Sequence, residues 1–280
     1  MLCGGAGDAI RRVVRGPRRG APDLEPSRVA DLFDRNVATY DRVNTIITFG
    51  LDASWRHWAA RQAAPPVHGS PAWPLDSGAR ATPRGAGEPA SAPVRPRVLD
   101  ACAGTGLLAL DLARRGATVT AADAAPGMLA VARARLNAAG RPLRTVVADL
   151  ADPATADTLG GPFDAVTLGF GLRYFADPGA LLRPLRGLLA PGGRLVVVDA
   201  VRPARDLLGA AAGFYFFEVA PRLGTALAGR AELYDFLTAS TRALGSADDV
   251  AAHLRAAGFG VGVRRRFACG VVAGFVAEPA

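Results

Sequence analysis

The chain has no lysine. All 33 of its basic side chains are arginine, set against 25 acidic ones, for a net charge of +8 over 280 residues. Such an excess suits a nucleic-acid surface only where the basic residues cluster. Here they are scattered, apart from Arg11 to Arg19 and Arg264-Arg265-Arg266, and they accompany a general crowding with Ala, Gly and Pro. A solvated surface is expected, with no nucleic-acid partner. Cysteine is scarce as well. Cys3, Cys102 and Cys269 are odd in number and far apart, which excludes a disulfide framework and offers no metal-ligand spacing. No metal is expected. Apolar runs stay far short of a membrane span, and the nearest candidate, Leu207 to Phe217, ends at Glu218. The first residues lack the apolar segment of a secretory signal, so a cytoplasmic protein is expected.

What is present suits a large core: half of the residues are hydrophobic, enough for one large domain or two small ones. Residues 1–26 are rich in Gly, Pro and Arg without periodicity and are expected to form a disordered basic tail. From Ser27 the pattern changes, and Val29, Leu32, Phe33, Val37 and Tyr40 recur at helical spacing. Residues 63–96 are dense in proline and read as a long surface insertion. His68 and Trp73 fall inside it and are given no role. From Arg97 onward, strands and helices alternate, the signature of an α/β fold with a mostly parallel sheet. The predicted strands are Arg97–Ala101, Ala117–Ala122, Leu143–Ala148, Phe163–Gly169 and Arg194–Ala200. The helices between and after them are Leu107–Arg115, Gly127–Ala139, Ala180–Leu189 and Val250–Ala257, and Phe259 opens a final pair of strands through Ala277.

The stretch Val98 to Gly106 (VLDACAGTG) organises the rest. It reads as a buried strand ending in Asp100, then a Gly104-Thr105-Gly106 turn into a helix. Glycines there let the backbone approach a ligand, and a crevice at the carboxyl end of a parallel strand is where open α/β sheets bind nucleotide-like molecules. The next strand also ends in an acid, Asp123, placed for ribose hydroxyls. A full G-x-G-x-x-G is missing, which argues against a nicotinamide or flavin dinucleotide. Leu207 to Ala228 is apolar and aromatic-rich. It reads either as a helix buried on all sides or as the wall and mouth of a site for a greasy substrate, and the second reading leaves contact with a membrane surface open.

The two strand-end acids and the Gly-Thr-Gly turn resemble the S-adenosylmethionine site of class I methyltransferases. A longer match is more specific. Phe33, Tyr40, Asp41, Asn44, Phe49, Gly50, Asp52, Trp55 and Arg56 fall on the amino-terminal pattern of the ubiquinone/menaquinone biosynthesis C-methyltransferases. Phe214-Tyr215-Phe216 with Pro221 and Gly224, and Tyr234 with Leu237, Ser240 and Arg242, are similar to two further segments of that family. The resemblance covers residues 28–62 and 97–277. It implies a Rossmann-like class I sheet with a C-terminal antiparallel strand pair, a helical cap over 27–62, and a core over 97–280 with substrate-covering helices at about 206–245.

It further implies S-adenosylmethionine as cofactor and a lipophilic quinol as substrate, demethylmenaquinol foremost. Gly104, Thr105 and Gly106, with Asp100 beside them, would cradle the methionine portion, and Asp123 would hold the ribose. Asp149 and Leu150 would flank the adenine, and Gly169 would lie beneath the methyl group. Tyr40 would close over the cofactor, and Arg173 would stabilise a developing phenolate or polarise a water. An arginine paired with a nearby acid to hold its loop is the plainer reading of Arg173. Tyr174 stands where the family has Asn. An aromatic secondary metabolite as acceptor, a ligand-binding homologue without catalysis, and a homodimer all stay open at this point. His57 and His253 are expected to do no more than pack or face solvent.

Overall fold

The computed structural model describes residues 26–64 and 95–280. The expected tail and insertion, including His68 and Trp73, fall almost wholly outside the described residues. The described chain begins with three helices, α1 (Pro26–Asp34), α2 (Val37–Ile47) and α3 (Leu51–Ala63). Then come β1 (Arg97–Ala101), α4 (Leu107–Arg114), β2 (Thr118–Asp123), α5 (Pro126–Ala138), β3 (Arg144–Val147), β4 (Phe163–Gly169), α6 (Pro178–Gly187) and β5 (Leu189–Ala200). Helices α7 (Leu207–Phe214), α8 (Ala220–Ala228), α9 (Ala231–Leu244) and α10 (Ala247–Ala256) follow, and β6 (Phe259–Phe267) and β7 (Val272–Pro279) close the chain.

The strands form one seven-stranded sheet in the order β3-β2-β1-β4-β5-β7-β6. All neighbours are parallel except β5 with β7 and β7 with β6. Strands covered on both faces are largely apolar, and β1 (RVLDA) and β4 (FDAVTLG) follow that rule apart from Arg97 and Asp164 near their starts and the hydrogen-bonded pair Asp100 and Thr167. One face is packed by Leu181, Leu182 and Leu185 of α6 with Val250 and Leu254 of α10. The other is packed by Trp55 and Trp58 of α3 with Leu108 and Leu112 of α4. Each such large side chain stabilises the fold by roughly 1.5–3 kcal/mol on burial, so the sheet is a rigid platform. A third, smaller cluster joins Leu32, Phe33 and Val43 of the first helices to Met128, Tyr234 and Phe236. It fastens α1 and α2 over the carboxyl ends of the strands. The strands after β1 are added outward on one side as β2 and β3 and then on the other side as β4 and β5, and the crevice at that switch point, between β1 and β4, is where the site lies.

One expectation needs correction and one choice is settled. The helix drawn over Ala180–Leu189 runs from Pro178 to Gly187, with Asp177 accepting a hydrogen bond from Gly179 N at 2.8 Å as its cap. Leu189 already pairs with Phe163, and the Pro191-Gly192-Gly193 segment is a bulge within β5 before the register resumes at Ala165 and Arg194. The second point decides between the two readings of Leu207 to Ala228: the segment is not buried on all sides, and Phe216, Ala220 and Pro221 line a cavity. This stretch forms α7, a wider π-type segment (Tyr215–Val219) and α8, with Leu207, Leu208 and Phe214 exposed.

Candidate active site

A cavity of about 470 Å³ opens where β1, β2 and β4 end under α2 and α9. Asp100 is the penultimate residue of β1 and is 1% exposed. Its Oδ1 accepts a hydrogen bond from the Thr167 hydroxyl at 2.7 Å, while its Oδ2 has no partner. Burial pushes its carboxyl up to about 7 despite the Thr167 hydrogen bond. The turn that follows holds Cys102 and Gly104 at positive φ, 56° and 52°. At Gly104 this leaves open space where a side chain would project.

Asp123, at the end of β2, is fixed by that same turn. Gly104 N donates to its Oδ2 at 2.8 Å and Ala125 N donates to its Oδ1 at 2.9 Å. Burial raises its pKa, and the two backbone donors work in the opposite direction. Asp149 accepts from Ala151 N at 3.0 Å, and Leu150 beside it is buried. Gly169 ends β4. Asp100, Gly104, Thr105, Asp123, Asp149, Leu150 and Gly169 all line the cavity. Gly106 does not. A Cβ there would lie 2.6 Å from Cβ of Ala132, so this glycine lets α5 pack against the turn, and its positive φ of 76° starts α4.

Helix α2 supplies the roof. The hydroxyl of Thr105 donates to Asp41 Oδ1 at 2.7 Å, and Arg135 of α5 donates to Asp41 Oδ2 at 2.6 Å and to the Thr105 carbonyl. This Asp41–Thr105–Arg135 clasp ties the first helices to the glycine turn. Asp34 adds a second tie by accepting from Gly127 N and Met128 N at the start of α5, both at 3.1 Å. A carboxylate at a helix N-terminus satisfies donors that have no partner within the helix.

Arg173 lies at the other end of the cavity, in the loop after β4. Its guanidinium donates to Asp199 Oδ1 at 2.9 Å and to the Tyr174 hydroxyl at 3.0 Å, and its Nε has no partner. Burial opposes its charge, yet Tyr174, Asp199 and Tyr40 around it hold it protonated and raise its pKa. Burial raises both Tyr40 and Tyr174, with Arg173 pulling the other way in each. These phenols therefore keep their protons at neutral pH. Tyr174 is stacked on Phe236 with centroids 5.5 Å apart and leans on Phe33 at 5.1 Å. Tyr40, Phe33, Tyr174 and Tyr234 make this end of the cavity aromatic.

Sequence reasoning gave no role to Asp41, Arg135 or Asp199. Asp199 carried the signal already used for Asp123, an acid near the end of an apolar strand. Arg135 carried none, because its partners are 30 and 94 residues away. His57 bonds Ala53 O within its own helix and does not line the cavity.

Residues 22–278 match the model of the ubiE/COQ5 methyltransferase family. The chain is 35% identical to a demethylmenaquinone methyltransferase of Clavibacter sepedonicus, over 89% of each chain. It is 36% identical to one of Thermus thermophilus, over 82% of this chain and 92% of that one. Among solved structures, an O-methyltransferase family protein from Burkholderia thailandensis has the same fold at a TM-score of 0.50 and 22% identity, covering 66% of this chain and 51% of that one. The chain belongs to the ubiE/COQ5 methyltransferase family.

Proposed function

We propose that the protein methylates a ring carbon of a prenylated quinol, demethylmenaquinol to menaquinol, with S-adenosylmethionine as donor. One observation carries the reading: a single cavity takes in three strand-end carboxylates and, on the same lining, an aromatic wall with a buried arginine. The relatives named demethylmenaquinone methyltransferase support the choice of acceptor.

The carboxylate end fits the donor. Asp100 lines the cavity, and its buried Oδ2, without a partner among the described residues, is an acceptor that a ligand bringing N–H groups or positive charge would satisfy. Asp123 keeps free lone pairs for ribose hydroxyls, and Asp149 with Leu150 offers one polar and one apolar contact to a base. When bound, S-adenosylmethionine supplies an electrophilic methyl group on a sulfonium. The chain's own task is alignment, exclusion of water, and keeping the acceptor electron-rich. Arg173 serves the last of these. A guanidinium cannot accept a proton at neutral pH, but it stabilises the phenolate whose charge activates the ring carbon. Tyr40 and Tyr174, both protonated, act as hydrogen-bond donors to that oxygen and not as bases.

A second reading keeps the chemistry but places another aromatic ring in the pocket. Tyr174 favours it, because its ring occupies space between Phe33 and Phe236 that a smaller residue would leave to the substrate. Labelled methyl transfer to reduced demethylmenaquinone with a short prenyl tail separates the two. Labelled menaquinol is the expected product. Intact donor binding with no transfer would move the assignment to a different aromatic acceptor.

A further inference from the structure

Among the described residues, every large apolar side chain that is exposed, except Val147 and Val263, lies on two neighbouring segments. One is the turn from α2 to α3, with Ile46, Phe49 and Leu51. The other is α7 and α8, with Leu207, Leu208, Phe214, Leu223 and Leu227. Phe49 is 75% exposed, Leu207 86% and Phe214 65%. The segments touch: the Tyr215 hydroxyl donates to Ile47 O at 2.8 Å, and the Phe49 and Tyr215 rings are 5.4 Å apart. Leu207, Ala210, Ala211 and Phe214 share one face of α7, and that face points to solvent. An amphipathic helix normally turns this stripe inward. Here it is turned outward.

The inner side of the same segments is cavity wall, through Ile47, Thr48, Phe216, Ala220 and Pro221. The apolar surface therefore sits directly outside the aromatic end of the site. Exposed arginines border it, Arg42 one turn before Ile46, Arg205 two residues before Leu207, and Arg230 three residues after Leu227, alongside two exposed acids, Asp206, which caps α7 by accepting from Gly209 N at 2.7 Å, and Glu232. None of the three arginines is ion-paired to a carboxylate among the described residues. An apolar face rimmed by arginine matches a bilayer surface with anionic headgroups, where apolar side chains enter the acyl boundary and the cations stay at the phosphates.

We propose that this face docks the protein on an anionic phospholipid surface, so that a prenylated acceptor passes from the bilayer between the α2–α3 turn and α7–α8 into the cavity. The passage of the acceptor rests on the quinol reading; the docking itself does not.

Flotation of the full chain with phosphatidylglycerol/phosphatidylcholine vesicles tests it, with the pair Leu207→Glu and Phe214→Glu as the variant. Both side chains are exposed and neither lines the cavity, so melting and methyl transfer to a tail-less soluble acceptor should match wild type. The expected result is that wild type floats and the variant partitions at least about tenfold less. Vesicles of phosphatidylcholine alone should retain less of the wild type. Wild type that fails to float overturns the proposal. So does equal binding by the variant, which would mean adhesion through arginines elsewhere. A dimer that the substitutions dissociate would assign the face to a second copy of the chain. Flotation is read without turnover, so failure of the quinol assay leaves this result standing, and the reverse holds too.

Discussion

Arg173 and Asp199 form an ion pair at 2.9 Å with the carboxylate fully buried and the guanidinium 7% exposed. Asp199 also accepts from the backbone N–H of Ala200 at 2.8 Å, so its position is set by β5 itself. Both readings of Arg173, an anchored loop and an activating cation, are compatible with this geometry. The anchor on Asp199 is what would hold the cation beside the acceptor.

Removing one member of a buried pair strands the other, at a cost of about 3–5 kcal/mol. Arg173→Met should lower unfolding free energy by that much, and adding Asp199→Asn should recover most of it. Turnover should not return in the double variant, and should stay about a hundredfold down. Urea denaturation and single-turnover methyl transfer read the two effects separately. Wild-type turnover in the double variant would leave Arg173 a structural role only.

The clasp of Asp41 with Thr105 and Arg135 predicts a local effect. Hydrogen bonds to a charged group are worth roughly 1.5–3 kcal/mol, less where solvent reaches them. Asp41→Ala should therefore speed amide exchange in α2 and leave β1, β4 and β5 protected. Uniform loss of protection would mean that Asp41 supports the whole fold and does not specifically hold the roof.

Much of this was legible in the chain. The ends of β1 and β4 coincide with expectation, since each is an apolar run bounded by Gly or Pro and buried on both faces. Other features depend on partners that no local pattern reveals. Gly106 carries the mark of a ligand-binding glycine, yet it serves the packing of Ala132, 26 residues on. Arg173 finds its acid 26 residues away in β5. The apolarity of Leu207 to Ala228 told nothing about direction, because the same stripe suits a core or an exterior face. Only the packing of α2 against α8 settles which side faces out.

Asp123 should act on ribose hydroxyls as well as on its own turn, and a thermodynamic cycle separates the two. Asp123→Ala should weaken donor binding more than about tenfold, equivalent to roughly 1.5–3 kcal/mol. It also strips acceptors from Gly104 N and Ala125 N, so affinity alone is ambiguous. Titration calorimetry with a donor analogue lacking both ribose hydroxyls resolves it. That analogue should bind wild type poorly and should bind the variant no worse than the full ligand does. Additive losses would place Asp123 in the turn alone.

Asp100 gives a pH signature with a definite sign. Burial raises its folded-state pKa to about 7, well above the ordinary carboxylate value of 3.8. Between those two values the unfolded chain has released this proton while the folded chain retains it. The folded state then binds more protons, so this group's contribution to stability falls as pH rises through the window, and levels off above about 7. Asp100→Asn cannot ionise and escapes the loss. Its stability relative to wild type should climb from about pH 4 to pH 7, by roughly 2–4 kcal/mol. Urea unfolding of both proteins at pH 5 and pH 8 measures the gap. A gap of constant size would mean that Asp100 is already ionised in the folded protein at pH 5, with its Oδ2 solvated and not held back for a ligand. A widening gap, joined to loss of donor binding in the Asn variant, would identify the unpartnered oxygen as the acceptor that the donor satisfies.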